Sequence, residues 1–210
     1  PLAVKQQAAY FMAQAFGARR VLLLGGFAGG LPAELLHYQL QRIEVVEEDQ
    51  RAFILTQDYL PAQSRLALQD PRVQIHHVDG RRFVNQLPGD VQFDLVLVLN
   101  ATPANAHSNR YFTREFYRQI AQHLSPDGVF CTQVSGASNY LGKVVQSFTA
   151  SVFHTLRAEL SQVAVAPGDD FVYCASRMEQ RVSEEAAELQ KRYLQLPQSA
   201  QRFSPQLFHS

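Results

Sequence analysis

The sequence predicts an α/β domain in which a mostly parallel, seven-stranded sheet carries helices on both faces. Short apolar runs alternate with amphipathic stretches through most of the 210 residues, as expected of strands separated by crossover helices. A glycine cluster follows the first of these runs. The fourth run, Phe93 to Leu99, is apolar almost throughout, as expected of a central strand covered on both faces. With 46% hydrophobic and 18% charged side chains, the chain can bury one sizeable core. We therefore read residues 1–210 as a single domain, with a core over about 15–176 and a C-terminal helix and tail over 183–210.

The first strand is expected over Arg20 to Leu24. It ends in Gly25, Gly26, Phe27, Ala28, Gly29 and Gly30, after which Pro32 opens a helix carried on by Ala33 to Leu40. A second strand, Arg42 to Val46, runs into Glu47, Glu48 and Asp49, and a helix over Gln50 to Leu60 stops at Pro61. The third strand, Val73 to Val78, leads to Asp79 and Gly80. After the fourth strand comes a polar loop from Asn100 to Asn109, then a helix over Thr113 to Leu124 and a turn at Ser125, Pro126, Asp127 and Gly128. Strand five is Val129 to Val134, followed by a helix over Tyr140 to Phe153. Strands near Ala158 to Ala166 and Phe171 to Ala175 flank the turn at Pro167 to Asp170, so the last strand should run antiparallel. A charged amphipathic helix over Ser183 to Leu194 completes the chain, and the residues beyond Pro197 lack clear periodicity.

Charge argues against a nucleic-acid partner: the formal net charge is zero, and Arg19, Arg20, Arg42, Arg81, Arg82, Arg110 and Arg114 are scattered as on a solvated surface. Cys131 and Cys174 each fall inside an apolar strand without a neighbouring ligand at metal spacing, so both are expected as buried thiols, with no disulfide and no metal site. The apolar runs are too short to span a bilayer, and no signal peptide is legible. A cytoplasmic location follows as the expectation, with the chain free or as the cytoplasmic part of a membrane protein. The first residue is Pro1, so a fragment of a longer chain is one reading.

Open α/β sheets bind ligands beyond the carboxyl ends of their strands, which directs attention to the loops after Leu24, Val46, Val78 and Leu99. A glycine-rich strand-to-helix turn lets backbone approach a ligand and points amides at it. Phe27 stands where the dinucleotide fingerprint needs its second glycine, so that fingerprint is absent. Glu47, about 20 residues beyond the turn, could accept hydrogen bonds from both hydroxyls of a ribose. Asp79, beside Gly80, could accept from an adenine amino group, cap the following helix, or do both. Asp94 lies at the wrong end of its strand and reads as structural. His76 and His77 alternate in a strand, so they point to opposite faces and form no metal pair. Asn100 and His107, in the polar loop, are weak candidates for a hydrogen-bonding residue and a base.

The ordered strings VLLLGGFAGGLPAELL, IEVVEED, HHVDGRRF, FDLVLVLN and NRYFTREFYRQIAQHLSPDGVFCTQ resemble the spermidine and spermine synthase family. SNYLGKVVQSFTASVFHTL and PGDDFVYCAS look closest to members fused to membrane-spanning segments. The resemblance covers roughly residues 15 to 176. It implies the Rossmann-like class I methyltransferase fold and transfer of an aminopropyl group from decarboxylated S-adenosylmethionine to a polyamine, releasing methylthioadenosine. It further implies that Glu47 binds the ribose, that Asp79 with Gly80 reads the adenine, and that Gly25, Gly26, Gly29 and Gly30 form the glycine turn. A homodimer is left open.

The departures fall on the amine side. Ala28 replaces the acid of the family's glycine turn, Leu99 and Thr102 replace the two acids of its D-S-x-D-P segment while Pro103 is kept, and Ser135 replaces an acid that often follows the fifth strand's Gln133. A polyamine is an ammonium ion near neutral pH and needs carboxylates to offset desolvation and take up a proton. The expectation is therefore a transferase-like domain that binds S-adenosylmethionine, its decarboxylated form or methylthioadenosine, with an acceptor other than a common polyamine. Methyl transfer and a catalytically silent nucleoside-binding module are the alternatives.

Overall fold

The computed structural model describes residues 2–99, 106–135, 143–168, 170–197 and 200–209. Strands β1 (Arg20–Leu24), β2 (Arg42–Val46), β3 (Val73–His76), β4 (Phe93–Val98), β5 (Leu124–Ser135), β6 (Gln162–Ala166) and β7 (Asp170–Ser176) form one sheet in the order β3-β2-β1-β4-β5-β7-β6. β3, β2, β1, β4 and β5 pair in parallel, and β7 runs antiparallel to both β5 and β6. The α/β class, the seven strands and the antiparallel strand after Pro167 are those the sequence predicts. From β1 the chain builds outward to one side through β2 and β3 and then crosses to the other through β4 and β5, which puts a crevice at the carboxyl ends of β1 and β4.

The helices are α1 (Leu2–Gln14), α2 (Leu31–Leu35), α3 (Gln50–Tyr59), α4 (Ala62–Ala67), α5 (Gly80–Gln86), α6 (Ala106–Asn109), α7 (Arg114–Gln122), α8 (Lys143–Arg157) and α9 (Ala186–Leu194). Their starts follow from side chains that take up free amides. Asp49 accepts from the N–H groups of Arg51 and Ala52, both at 2.9 Å, and Asp79 accepts from that of Arg82 at 2.8 Å. Thr113 Oγ1 does the same for Phe116 at 3.3 Å. One sheet face packs Leu23, Val45, Leu97 and Cys131 with Phe11 of α1, Leu35 of α2 and Phe53 of α3. The other packs Leu22, Val96 and Phe130 with Val84 of α5, Phe116 and Ile120 of α7, and Val152 and Leu156 of α8. Ala9 and Ala13 of α1 then meet Leu189, Tyr193 and Phe203 in a third cluster.

Several boundaries differ from the expectation. The N-terminal helix α1 was not legible, because it buries apolar residues on two sides, one against the sheet and one against α9, which blurs a single stripe. α2 stops at Leu35 instead of Leu40. The turn expected at Ser125 to Gly128 is absorbed into β5 as an irregularity in its pairing with β4 between Phe93 and Leu95. α8 continues to Arg157, and α4 follows Pro61 directly.

The reading of Cys131 and Cys174 as separate thiols is corrected: their sulfurs are joined in a disulfide. The antiparallel register of β5 and β7 sets the two residues opposite one another with Cα atoms 4.2 Å apart, and both are fully buried. Strand adjacency decides that encounter, and neither cysteine's local sequence carries it.

Leu24 hands the chain to a left-handed turn: Gly25, Gly26 and Gly30 have φ of 73°, 76° and 85°. A Cβ on Gly26 would lie 3.0 Å from Leu99 Cβ, so the end of β4 closes on the turn only because Gly26 has no side chain. Gly26→Ala should lower stability by about 1–2 kcal/mol for the left-handed backbone alone, with a further loss from displacing Leu99, as read by urea denaturation. An unchanged midpoint would show that the turn relaxes freely. On the opposite face, Arg114 and Arg118 of α7 both bond Glu159 just beyond α8 and hold its carboxyl at about 2 instead of the ordinary 4.5. A depressed carboxyl pKa contributes stability above the unfolded value that is lost as pH falls toward the folded one. The melting-temperature advantage of the wild type over Glu159→Gln should therefore be present at pH 6 and shrink between about 4.5 and about 2; a gap that stays constant would show that the clasp is energetically silent.

Candidate nucleoside and acceptor site

The carboxyl ends of β1, β2 and β3 are tied together by two backbone bonds beyond the strands. Gly25 N–H donates to Val46 C=O at 3.1 Å, and Glu47 N–H donates to His76 C=O at 3.0 Å. This brings Gly25, Gly26, Val46, Glu47, Glu48, Gly80, Ser108 and Tyr111 around one cleft of about 250 Å³. Glu47 enters on the loop after β2, where its Oε1 accepts from Asp49 N–H at 3.2 Å. Gly80 is required by close packing, because a Cβ there would lie 2.8 Å from the Tyr111 hydroxyl oxygen.

Asp79 sits one residue before Gly80 with both carboxylate oxygens in use. Oδ1 caps α5, and Oδ2 accepts from the guanidinium of Arg110. The same Arg110 nitrogen lies 3.4 Å from Glu48 Oε2, and its guanidinium carbon stands 5.3 Å from the centre of the Tyr111 ring. Arg110, which the sequence reads as one of several surface arginines, is thus the cation shared by Glu48 of the cleft and by Asp79, which stands next to the cleft-lining Gly80 without itself lining the cleft. Its distance in sequence from Asp79 hid this. Gly29 lies in the short 3₁₀ turn Phe27–Gly29 and Gly30 caps α2; neither walls the cleft. Ala28 is exposed.

The remaining sequence candidates separate cleanly. Asp94 Oδ2 accepts from the N–H groups of Arg19 and Arg20, each at 2.8 Å, fastening the start of β1 at the opposite edge of the sheet. His76 packs on Phe83 and bonds Glu44 at 2.6 Å, while His77 packs on Phe53 across the sheet. Asn100, Thr102 and Pro103 lie outside the described residues, and His107 falls in α6. Among the described residues, no cluster of His, Cys, Asp and Glu could hold a metal ion, and no helix is long and apolar enough to cross a membrane.

A second, larger cavity of about 580 Å³ opens at the same edge of the sheet, beyond β4. Its walls come from α1, the ends of β5 and β6, the start of β7, α9 and the C-terminal tail. Gln14, fully buried, fixes this arrangement: it donates to Ser183 C=O at 2.7 Å and accepts Ser183 N–H at 2.9 Å, pinning the approach to α9 onto α1. Within the cavity Gln7 Nε2 donates to Gln133 Oε1 at 2.9 Å, and Gln133 Nε2 donates to Asp170 Oδ2. Burial pushes the Tyr10 phenol on this wall up to about 12, with Glu184 adding to the rise and a hydrogen bond from Gln14 opposing it, so it is a neutral hydroxyl near pH 7. Gln7, Asp170 and the tail were missed by sequence reasoning, since a strand-end argument reaches only Gln133 among the cavity's polar residues.

Comparison with known proteins agrees with this architecture. The Spermine/spermidine synthase domain family matches residues 8–171. The polyamine aminopropyltransferase of Clostridium acetobutylicum is 35% identical over 116 residues, covering 55% of this chain and 40% of that protein. That of Nitrosomonas europaea is 32% identical over 149 residues, covering 69% of this chain and 45% of its own length. The chain thus spans about half the length of these relatives. In fold it is similar to a spermidine synthase in complex with the transition-state analogue AdoDATO, with a TM-score of 0.76, 19% identity and coverage of 99% of this chain and 70% of that one. Human methyltransferase-like protein 13 in complex with SAH is similar at a TM-score of 0.66 and 16% identity, covering 97% of this chain and 91% of that one. On sequence and architecture together, the chain belongs to the spermine/spermidine synthase family.

Proposed function

We propose that this domain binds an adenosine-type group donor in the cleft over β1 and β2 and transfers a group from it to an acceptor that is not a common polyamine. The observation that carries this reading is the convergence of Gly25, Gly26, Glu47 and Gly80 on one cleft beside the β1–β4 crevice. In that cleft the Glu47 carboxylate accepts from the ribose hydroxyls, the glycine turn lets backbone lie against the nucleoside, and Asp79 accepts from the adenine amino group while sharing its charge with Arg110. The donor is S-adenosylmethionine or its decarboxylated form, and methylthioadenosine is the matching product of the latter.

Transfer requires the acceptor nitrogen to lose a proton and attack the carbon beside the sulfonium. The carbon–sulfur bond then breaks, and its electron pair returns to sulfur as a neutral thioether. The described residue nearest the glycine turn from β4 is Leu99, whose side chain rests on Gly26. It offers no charge to a neighbouring ammonium and no site for its proton. An unpaired buried ion carries a desolvation cost of several kcal/mol, which is why putrescine and spermidine are poor acceptors in this reading. Methyl transfer is the second reading, favoured by Ala28 and Leu99: the ammonium of S-adenosylmethionine is accompanied by its own carboxylate, whereas that of the decarboxylated donor's aminopropyl group is not and needs an acid from the protein.

Calorimetry with methylthioadenosine tests the donor site. Losing a hydrogen bond to a charged carboxylate costs about 1.5–3 kcal/mol, so Glu47→Ala and Asp79→Asn should each weaken binding by roughly 10- to 150-fold. Asp79→Asn keeps an oxygen to cap α5. Unchanged affinity in both variants would remove the site. Turnover of decarboxylated S-adenosylmethionine with putrescine should fall orders of magnitude below that of an ordinary spermidine synthase; comparable turnover would contradict the acceptor half, and a labelled methyl donor separates the two readings by product.

A further inference from the structure

From the larger cavity we infer the acceptor class: a primary amine with a single ammonium head and an apolar body, its head held by Asp170 and its body against the C-terminal tail. This inference rests on the transferase reading and adds to it the acceptor's place and chemistry.

Position is the first argument. Val98 of β4 pairs with Thr132 of β5, so Gln133 stands at the level of Leu99 on the neighbouring strand. Leu99 N–H donates to Leu24 C=O at 3.0 Å, which puts both at the level of the glycine turn. Gln133 is therefore two strand spacings from that turn, roughly 10 Å. Side chains of Leu97, Cys131, Val172 and Cys174 pack into the core on the α1 face. By alternation, Leu99, Gln133 and Asp170 project to that same face. The cavity thus opens beside the place where a group carried by a nucleoside in the cleft would be presented.

Chemistry is the second. The hydrogen bonds run in one direction, Gln7 to Gln133 to Asp170, so two amides orient a carboxylate that accepts. Asp170 Oδ1 accepts no hydrogen bond among the described residues, which leaves it for an ammonium donor. The rest of the wall is largely apolar: Phe11, Val172, Leu189, Phe203 and Phe208 face the space, with the Tyr10 hydroxyl among them. Glu184 also lines the cavity, but it is exposed, and its Oε1 accepts Val165 N–H at 2.9 Å on the edge of β6. Its charge is felt at Tyr10 on the same wall, but exposure to water weakens it. One ammonium can be paired within, while a second, at the far end of a diamine, would meet phenylalanine and leucine side chains. A phenyl or alkyl body gains there what a diamine loses.

Calorimetry of the full chain with 2-phenylethylamine and with putrescine tests this, each with and without methylthioadenosine. Phenylethylamine should bind at least tenfold more tightly than putrescine. Asp170→Asn should weaken it at least tenfold without changing methylthioadenosine affinity, and Asp170→Glu should restore part of the loss while thermal melting confirms that both variants fold. No binding of phenylethylamine by the wild type, a change under twofold in Asp170→Asn, or tighter binding of putrescine would overturn the inference. Amine binding that depends on Asp170 in a protein that ignores methylthioadenosine would overturn the donor reading and keep this one; the reverse result would do the opposite.

Discussion

The absence of a single Cβ, at Gly26, sets the geometry on which the candidate site depends. The left-handed turn after β1 brings the backbone under the end of β4, and Leu99 fills the space a side chain would have claimed. With Gly25 bonded to Val46 and Leu99 bonded to Leu24, the ends of β2, β1 and β4 are held at one level. The place of Glu47 beside the glycine turn follows from that level. A parallel sheet supplies the crevice, and Gly25 and Gly26 wall it with backbone.

Electrostatics divide the edge of the sheet into two regions. Over β2 and β3, Glu48 of the cleft and the adjacent Asp79 share Arg110, so both carboxylates have their charge partly compensated. Such groups suit neutral hydrogen-bond donors like ribose hydroxyls and an adenine amino group better than a full cation. Over β5 and β7, Asp170 faces an amide relay and aromatic side chains without an arginine or lysine bonded to it among the described residues. Leu99 separates the two regions with an apolar surface. A donor that is neutral in its nucleoside part and an acceptor with one positive end fit that division.

Legibility followed the range of the interaction responsible. Strand existence and type were readable from residues 21–24 and 95–98, where burial on both faces leaves unbroken apolar runs, and from Arg42–Val46, where Ile43, Val45 and Val46 keep the apolar pattern around Glu44. Glu47 and Gly80 could be placed at strand ends by the same reasoning. What escaped was contact between distant segments. The Cys131–Cys174 bond needs the β5–β7 register, the Arg110–Asp79 pair joins residues 31 apart in order, and the Gln7–Gln133–Asp170 line joins three elements up to 163 residues apart in order. α1 was obscured for a related reason: a helix wedged between a sheet and another helix is apolar on two sides and shows no single stripe.

The most direct measurement is a crystal structure grown with methylthioadenosine. The account requires the ribose hydroxyls within hydrogen-bonding distance of the Glu47 carboxylate, the adenine edge beside Asp79 and Arg110, and the thioether end turned toward Leu99 and the mouth of the larger cavity. A nucleoside seated instead against Phe203 and Asp170, or one whose ribose leaves Glu47 untouched, would contradict it.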